Sequence, residues 1–155
     1  MSTGVRDARP PRAVLRLLNP IVKALLRTRA SRAIPQIALL EFCGRRSGRR
    51  LSVVVGWHAL HNARVVFTPA PWRWNFAGGA AASVRWRGRD EDHVGTLELD
   101  PATVARAIDV VLRAGTSPRA LGLRVSAGHT VTAGDVLRTR RAMVLFRPAS
   151  QDSRR

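Results

Sequence analysis

Residues 39–55 constrain the fold more than any other stretch. An apolar run, Leu39-Leu40-Glu41-Phe42-Cys43, enters a basic segment, Gly44-Arg45-Arg46-Ser47-Gly48-Arg49-Arg50, and a β-branched run, Leu51-Ser52-Val53-Val54-Val55, leaves it. Apolar and β-branched runs bounded by turn residues pair as strands, so the chain reverses here in an antiparallel hairpin. A solvated turn needs only residues that supply the right backbone angles. Four arginines and a serine go further. Arginine forks match phosphate and carboxylate oxygens, and free turn amides form an anion-binding nest. The segment reads as an anchor for a polyanion.

The rest of the chain is organised as one domain over residues 12–148, with a polar, proline-containing disordered lead at 1–11 and a polar tail at 149–155. Over 13–27, apolar residues recur at helical spacing between Arg16, Lys23 and Arg27, and Asn19-Pro20 interrupts the run. This amphipathic helix is expected to pack on its own domain; contact with an anionic membrane is the other reading. Strands are expected at 34–42, 51–59 and 64–68, the last two joined by a short hairpin connection at 60–63. Residues 82–89 alternate polar and apolar, Asp90-Glu91-Asp92 reads as the next turn, and 93–99 as the returning strand. Asp100-Pro101 starts a helix that Gly115 ends. Short helical pieces at 118–123 and 132–138 and a strand at 142–146 complete an α+β chain whose antiparallel sheet curls into a small barrel.

The formal charge of +17 favours anionic partners, yet Lys23 is the only lysine, aromatics make up 5% of the chain and tyrosine is absent. Nucleic-acid binders set aromatics on a basic face, so no specific nucleic-acid partner is expected. No stretch is long and apolar enough to span a bilayer, and no secretory leader is read. The single cysteine, Cys43, fits a reducing compartment, so a cytoplasmic protein, with or without membrane contact through 13–27, is expected. The four histidines lack the spacing and cysteine partners of a zinc site, so no metal is expected. Ser47 lacks the strand-to-helix elbow of a hydrolase nucleophile.

Two motifs in order, Leu-Glu-Phe-Cys-Gly-Arg-Arg-Ser-Gly-Arg-Arg at 40–50 and Thr-Pro-x-Pro-Trp-x-x-Asn-Phe at 68–76, make the chain resemble the deazaflavin-dependent nitroreductases. These are split β-barrel proteins related to the flavin-binding pyridoxamine-phosphate-oxidase-like barrels. The resemblance implies an 8-hydroxy-5-deazaflavin coenzyme (F-420), whose tail of phosphate and glutamates would be held by Gly44, Arg45, Arg46, Ser47 and Gly48. It implies that Ser52, Val53 and Val54 line the ring and that Thr68, Trp72 and Asn75 close the same groove. Trp57 falls where the family often sets an aromatic beside the electron-accepting substrate. Leu51 to Val54 lack the basic residue, threonines and proline common at that strand in the family, and no tyrosine is present to donate a proton to substrate.

The implied activity is hydride transfer to a small-molecule acceptor: a quinone, a nitroaromatic or an activated alkene. No acid–base constellation is required, because the coenzyme carries the chemistry. The alternatives are a barrel binding flavin mononucleotide (FMN) and a cofactorless barrel that binds lipid or a membrane surface. The assembly stays open, a homodimer included.

Overall fold

The structure, a computed structural model, describes residues 4–7, 23–24, 27–28 and 35–150. Its organising hairpin is the expected one. Strand β2 (Ile37–Cys43) pairs antiparallel with β3 (Arg50–Gly56), with Phe42 opposite Leu51, Leu40 opposite Val53 and Ala38 opposite Val55. Side chains alternate across a strand, so Ala38, Leu40 and Phe42 share one face with Val53 and Val55, and all five belong to one apolar cluster.

The apolar run expected as one strand at 51–59 is broken. Trp57 separates β3 from β4 (His58–Leu60), and its amide donates to the Gln36 carbonyl at 2.9 Å. A turn at His61-Asn62 then leads into β5 (Ala63–Thr68). Strands β6 (Ala80–Trp86) and β7 (Arg89–Glu98) form a second hairpin, and β9 (Ala142–Pro148) closes the sheet. The order across the seven strands is β3-β2-β6-β7-β9-β5-β4, antiparallel throughout. Strands β3 and β4 lie at the two ends of that order, yet one residue joins them. A flat sheet cannot satisfy that constraint, so the sheet curls on itself. This is the expected α+β fold with a curled, split antiparallel barrel.

The barrel encloses Ala38, Leu40, Phe42, Val55, Trp57, Val66, Phe76, Ala82, Val84, Val144 and Phe146. A second core lies on the outer face of β5 and β9, where Val65, Phe67 and Met143 meet Val104, Ile108 and Val111 of helix α1 (Pro101–Arg113). Because β5 and β9 are covered on both faces, they read as unbroken apolar runs rather than alternating ones. Asp100 caps α1 as expected, its carboxylate accepting from the Thr103 amide at 3.0 Å.

Three further expectations are corrected. The β6–β7 turn is Arg87-Gly88, with φ of 50° and 75°, the left-handed pair that a two-residue hairpin requires. Asp90, Glu91 and Asp92 are therefore strand residues. Asp90 sits opposite Arg85 and binds it through two hydrogen bonds of 2.7 and 2.6 Å. Residues 118–123 split into a 3-10 turn (Pro118–Leu121) and strand β8 (Leu123–Val125). Within the lead read as disordered, Val5–Asp7 forms β1, pairs antiparallel with β8 and buries Val5. Arg141, buried itself, pairs with Asp7 at 3.2 Å. The amphipathic helix expected at 13–27 lies almost entirely outside the described residues, as does the tail beyond Ser150.

Helix α2 (Ala133–Arg138) carries a capping box, with Thr132 and Asp135 satisfying each other's backbone amides. Asp135 is buried and also takes hydrogen bonds from His129 and Arg138. Burial alone would push its carboxyl up. The bonds from His129 and from the Thr132 amide and hydroxyl outweigh that and hold it down at about 2. His58 shows the opposite balance: burial first, then the charge of Arg64, pushes the imidazole down to about 4.

Two predictions follow from this packing. A Cβ on Gly95 of β7 would come within 2.6 Å of Phe76 and 2.7 Å of Phe146. Gly95→Ala should therefore cost roughly 1–3 kcal/mol in urea unfolding; a neutral result would mean the rings have room to spare. Acid should act in two stages. His58 is charged more readily unfolded (6.5) than folded (about 4), so its share of stability is full above 6.5 and lost as pH falls towards 4, at roughly 1 kcal/mol per pH unit. The Asp135 share is full above 3.8 and lost towards about 2. His58→Gln should flatten the upper stage and leave the lower one; an unchanged slope between pH 6.5 and 4 would refute the assignment.

Candidate functional site

The basic turn is built by its backbone. The Gly44 amide donates to the Arg49 carbonyl at 2.7 Å, and the Gly48 amide returns to the Gly44 carbonyl at 2.9 Å. Gly48 stands at φ +65°, and a Cβ on Gly44 would meet the Ser47 hydroxyl at 2.6 Å, so both glycines are dictated by geometry. Ser47 Oγ accepts from the Arg49 amide at 3.2 Å, which commits the hydroxyl to the turn.

The turn is fastened to the tryptophan segment by one side chain. Residues Pro71–Phe76 form a short 3-10 helix. Asn75 Oδ1 accepts from the Arg45 amide at 2.7 Å, and Asn75 Nδ2 donates to the Trp72 carbonyl at 2.8 Å. Trp72 is half-buried against Phe42 and Phe76, with ring centroids 5.8 and 5.9 Å apart. The two motifs, about thirty residues apart in sequence, thus form one wall at an end of the barrel.

The cations at this wall divide into two kinds. Arg50 pairs with Glu41 at 2.9 Å, and Arg27 reaches the same carboxylate at 3.6 Å. Arg45, Arg46 and Arg49 are exposed and pair with no carboxylate among the described residues. The amides of Arg46 and Ser47 likewise donate to no described acceptor. Three guanidinium groups and two amides without a described partner thus share one turn.

The remaining expected residues are placed differently from one another. Val53 points into the barrel, whereas Ser52 and Val54 fall on the opposite face beside Glu41 and Leu39. Their side chains cannot line one ring together. What they share is backbone at a sheet edge, because β3 has a strand partner only in β2 among the described residues. Ser52 Oγ is buried without a hydrogen-bond partner. Thr68 is buried and serves the loop, its hydroxyl accepting from the Ala70 amide at 3.0 Å. Trp57, expected beside a substrate, lies in the barrel core. It is only 2% exposed and packs against Phe146 and His93, with ring centroids 5.2 and 5.4 Å apart. An indole at the point of barrel closure is drawn into the core.

Sequence reasoning missed Arg73, although its position between two tryptophans was the available signal. Its guanidinium stacks on Trp74 at 5.2 Å and donates to the carbonyls of Thr68 (3.3 Å) and Arg140 (2.8 Å). Also unforeseen is a polar cavity of about 340 Å³ on the outer face of β2 and β6, lined by Arg27, Leu39, Glu41, Arg50, Ser83, Arg85 and Asp90. Its charged groups are already paired with one another.

No protein-family model matches the chain, and no curated protein matches it in sequence. Among solved structures it is similar to an FAD- and heme-binding protein from Mycobacterium smegmatis, at 17% identity over 86% of this chain and 67% of that one, with a TM-score of 0.43. It is also similar to a pyridoxamine 5'-phosphate oxidase-related, FMN-binding protein from Nostoc punctiforme PCC 73102, at 14% identity over 92% of this chain and 83% of that one, with a TM-score of 0.48.

Asn75→Ala removes the link between the turn and the 3-10 helix. It should cost roughly 1–2 kcal/mol and speed hydrogen exchange at the Arg45 amide specifically. Unchanged exchange at Arg45 would show that the turn holds its shape without Asn75.

Proposed function

We propose that the chain is an oxidoreductase of flavin type, which holds the phosphate of its cofactor on the 44–50 turn and the ring system along the open edge of β3 beside Trp72. The observation that carries this reading is the set of unpaired donors at the turn: the Arg45, Arg46 and Arg49 guanidinium groups and the Arg46 and Ser47 amides. Every one of them is a donor and none is an acceptor, which suits a phosphate. The donor set therefore fits the group. The free backbone of β3 suits the polar rim of an isoalloxazine or deazaflavin ring. When bound, the cofactor supplies the hydride chemistry. The chain's own residues bind and orient it: arginines at the phosphate, β3 backbone at the ring edge, Trp72 as an apolar flank.

FMN is the first candidate, because one compact nest of two amides matches one phosphate. The spread of three guanidinium groups favours a second reading, the deazaflavin coenzyme with its additional tail carboxylates. In either case the acceptor is a small molecule that takes up a hydride, of the quinone, nitroaromatic or activated-alkene kind.

Titrating the purified chain with FMN and, separately, with the deazaflavin coenzyme discriminates between the two. One of them should bind at micromolar concentration or tighter, and Arg45→Ala with Arg46→Ala should weaken it at least about tenfold, the loss of roughly 1.4 kcal/mol or more. Failure of both to bind at tens of micromolar, on the order of −6 kcal/mol, would overturn the proposal.

A further inference from the structure

Among the described residues, the two most exposed large apolar side chains lie on the 71–76 helix and on α2. Trp74 is 48% exposed and Leu137, in α2, is 64% exposed. They sit on two elements that Arg73 joins: its guanidinium stacks on Trp74, and it donates to the Arg140 carbonyl one turn beyond Leu137. Arg140 itself adopts φ 51°, a left-handed position that glycine or asparagine fills at lower cost. Here a full cationic side chain is exposed instead.

Neither Arg73 nor Arg140 pairs with a carboxylate among the described residues, whereas Arg138 next door is committed to Asp135. Burial pushes the Arg73 guanidinium below its ordinary value, so its charge lacks both full hydration and a counter-ion. An indole, a leucine and two uncompensated cations on one junction match the composition of an interfacial membrane contact. There tryptophan sits at headgroup depth, leucine reaches the acyl boundary and arginine meets lipid phosphate. Among the described residues no helix is long and apolar enough to cross a membrane.

We infer that Trp74 and Leu137, with Arg73 and Arg140, form a docking surface for an anionic lipid bilayer. The net charge of +17 draws the chain to such a surface over distances set by salt, and the two apolar side chains then hold it at short range. None of these four residues belongs to the 13–27 segment, and none is among the donors assigned to the cofactor.

Vesicle co-sedimentation at physiological ionic strength tests it, comparing phosphatidylcholine alone with phosphatidylcholine containing about 30% phosphatidylglycerol. The protein should pellet with the anionic vesicles and stay in solution with the neutral ones. Trp74→Ala with Leu137→Ser should reduce binding at least fivefold, and because both side chains are exposed the circular dichroism spectrum should not change. Independently of these variants, brominated anionic lipid should quench a component of the tryptophan emission that Trp74→Phe removes. Failure of the wild type to pellet would overturn the inference. So would equal binding by the double variant, which would assign the contact to charge alone or to another segment, and so would an emission that brominated lipid leaves untouched.

Discussion

The single-residue join at Trp57 governs the rest of the molecule. Strand β3 ends one side of the sheet order and β4 begins the other, so their shared corner pulls the two edges together. The interior this creates has to be filled, and the filling is aromatic: Trp57, Phe42, Phe76 and Phe146 make a chain of tilted and T-shaped contacts 5.0–5.3 Å between neighbouring centroids. Such contacts add to the apolar area they bury. Gly95 is the matching concession on the opposite wall, since any side chain there would strike two of those rings.

Closure at one end forces opening at the other. Strand β4 is only three residues long and pairs with β5, not with β3, among the described residues. The start of β3, from Arg50 to Val54, keeps an unpaired edge among the described residues, directly beside the basic turn. Exposed edges invite pairing with another chain unless they are blunted. Here charge blunts the edge, with Arg49 and Arg50 at its mouth, and the same charge makes the edge suitable for an anionic ligand. The topology that stabilises the barrel thus produces the opening that the proposed function uses.

The hairpin, the α1 cap and the closing strand were legible because each rests on local rules: β-branched runs around glycine, and aspartate before proline. The break at Trp57 was not, since 51–59 holds one glycine, Gly56, and no proline, and the reason for the corner lies in strands far along the chain. Strands β1 and β8 have three residues each, too few for any period to emerge. The acidic triplet misled because its composition suits a turn; the left-handed pair Arg87-Gly88 supplies the geometry, and Arg85 claims Asp90 across the strands. At the candidate site, the turn and the Trp72–Asn75 segment were legible as motifs, whereas the alternation that separates Val53 from Ser52 and Val54 is a strand property that residue-by-residue transfer overlooks.

A net charge of +17 can reflect composition as much as function, and the structure provides a way to sort it. Arg50, Arg85, Arg138 and Arg141 each face a carboxylate, and their positions are explained by that pairing. Arg64 and Arg87 stack on Trp86 at 4.3 and 4.6 Å. Arg45, Arg46 and Arg49 have no such internal duty: glycine geometry, the Ser47 hydroxyl and Asn75 hold the turn, and none of these bonds involves a guanidinium group. Their removal would leave the fold intact, so a loss of ligand affinity on substituting them can be read as a loss of contacts to that ligand. Exposed arginines that the fold does not need, grouped on a turn that the fold holds rigid, are better explained by an anion outside the chain than by anything within it.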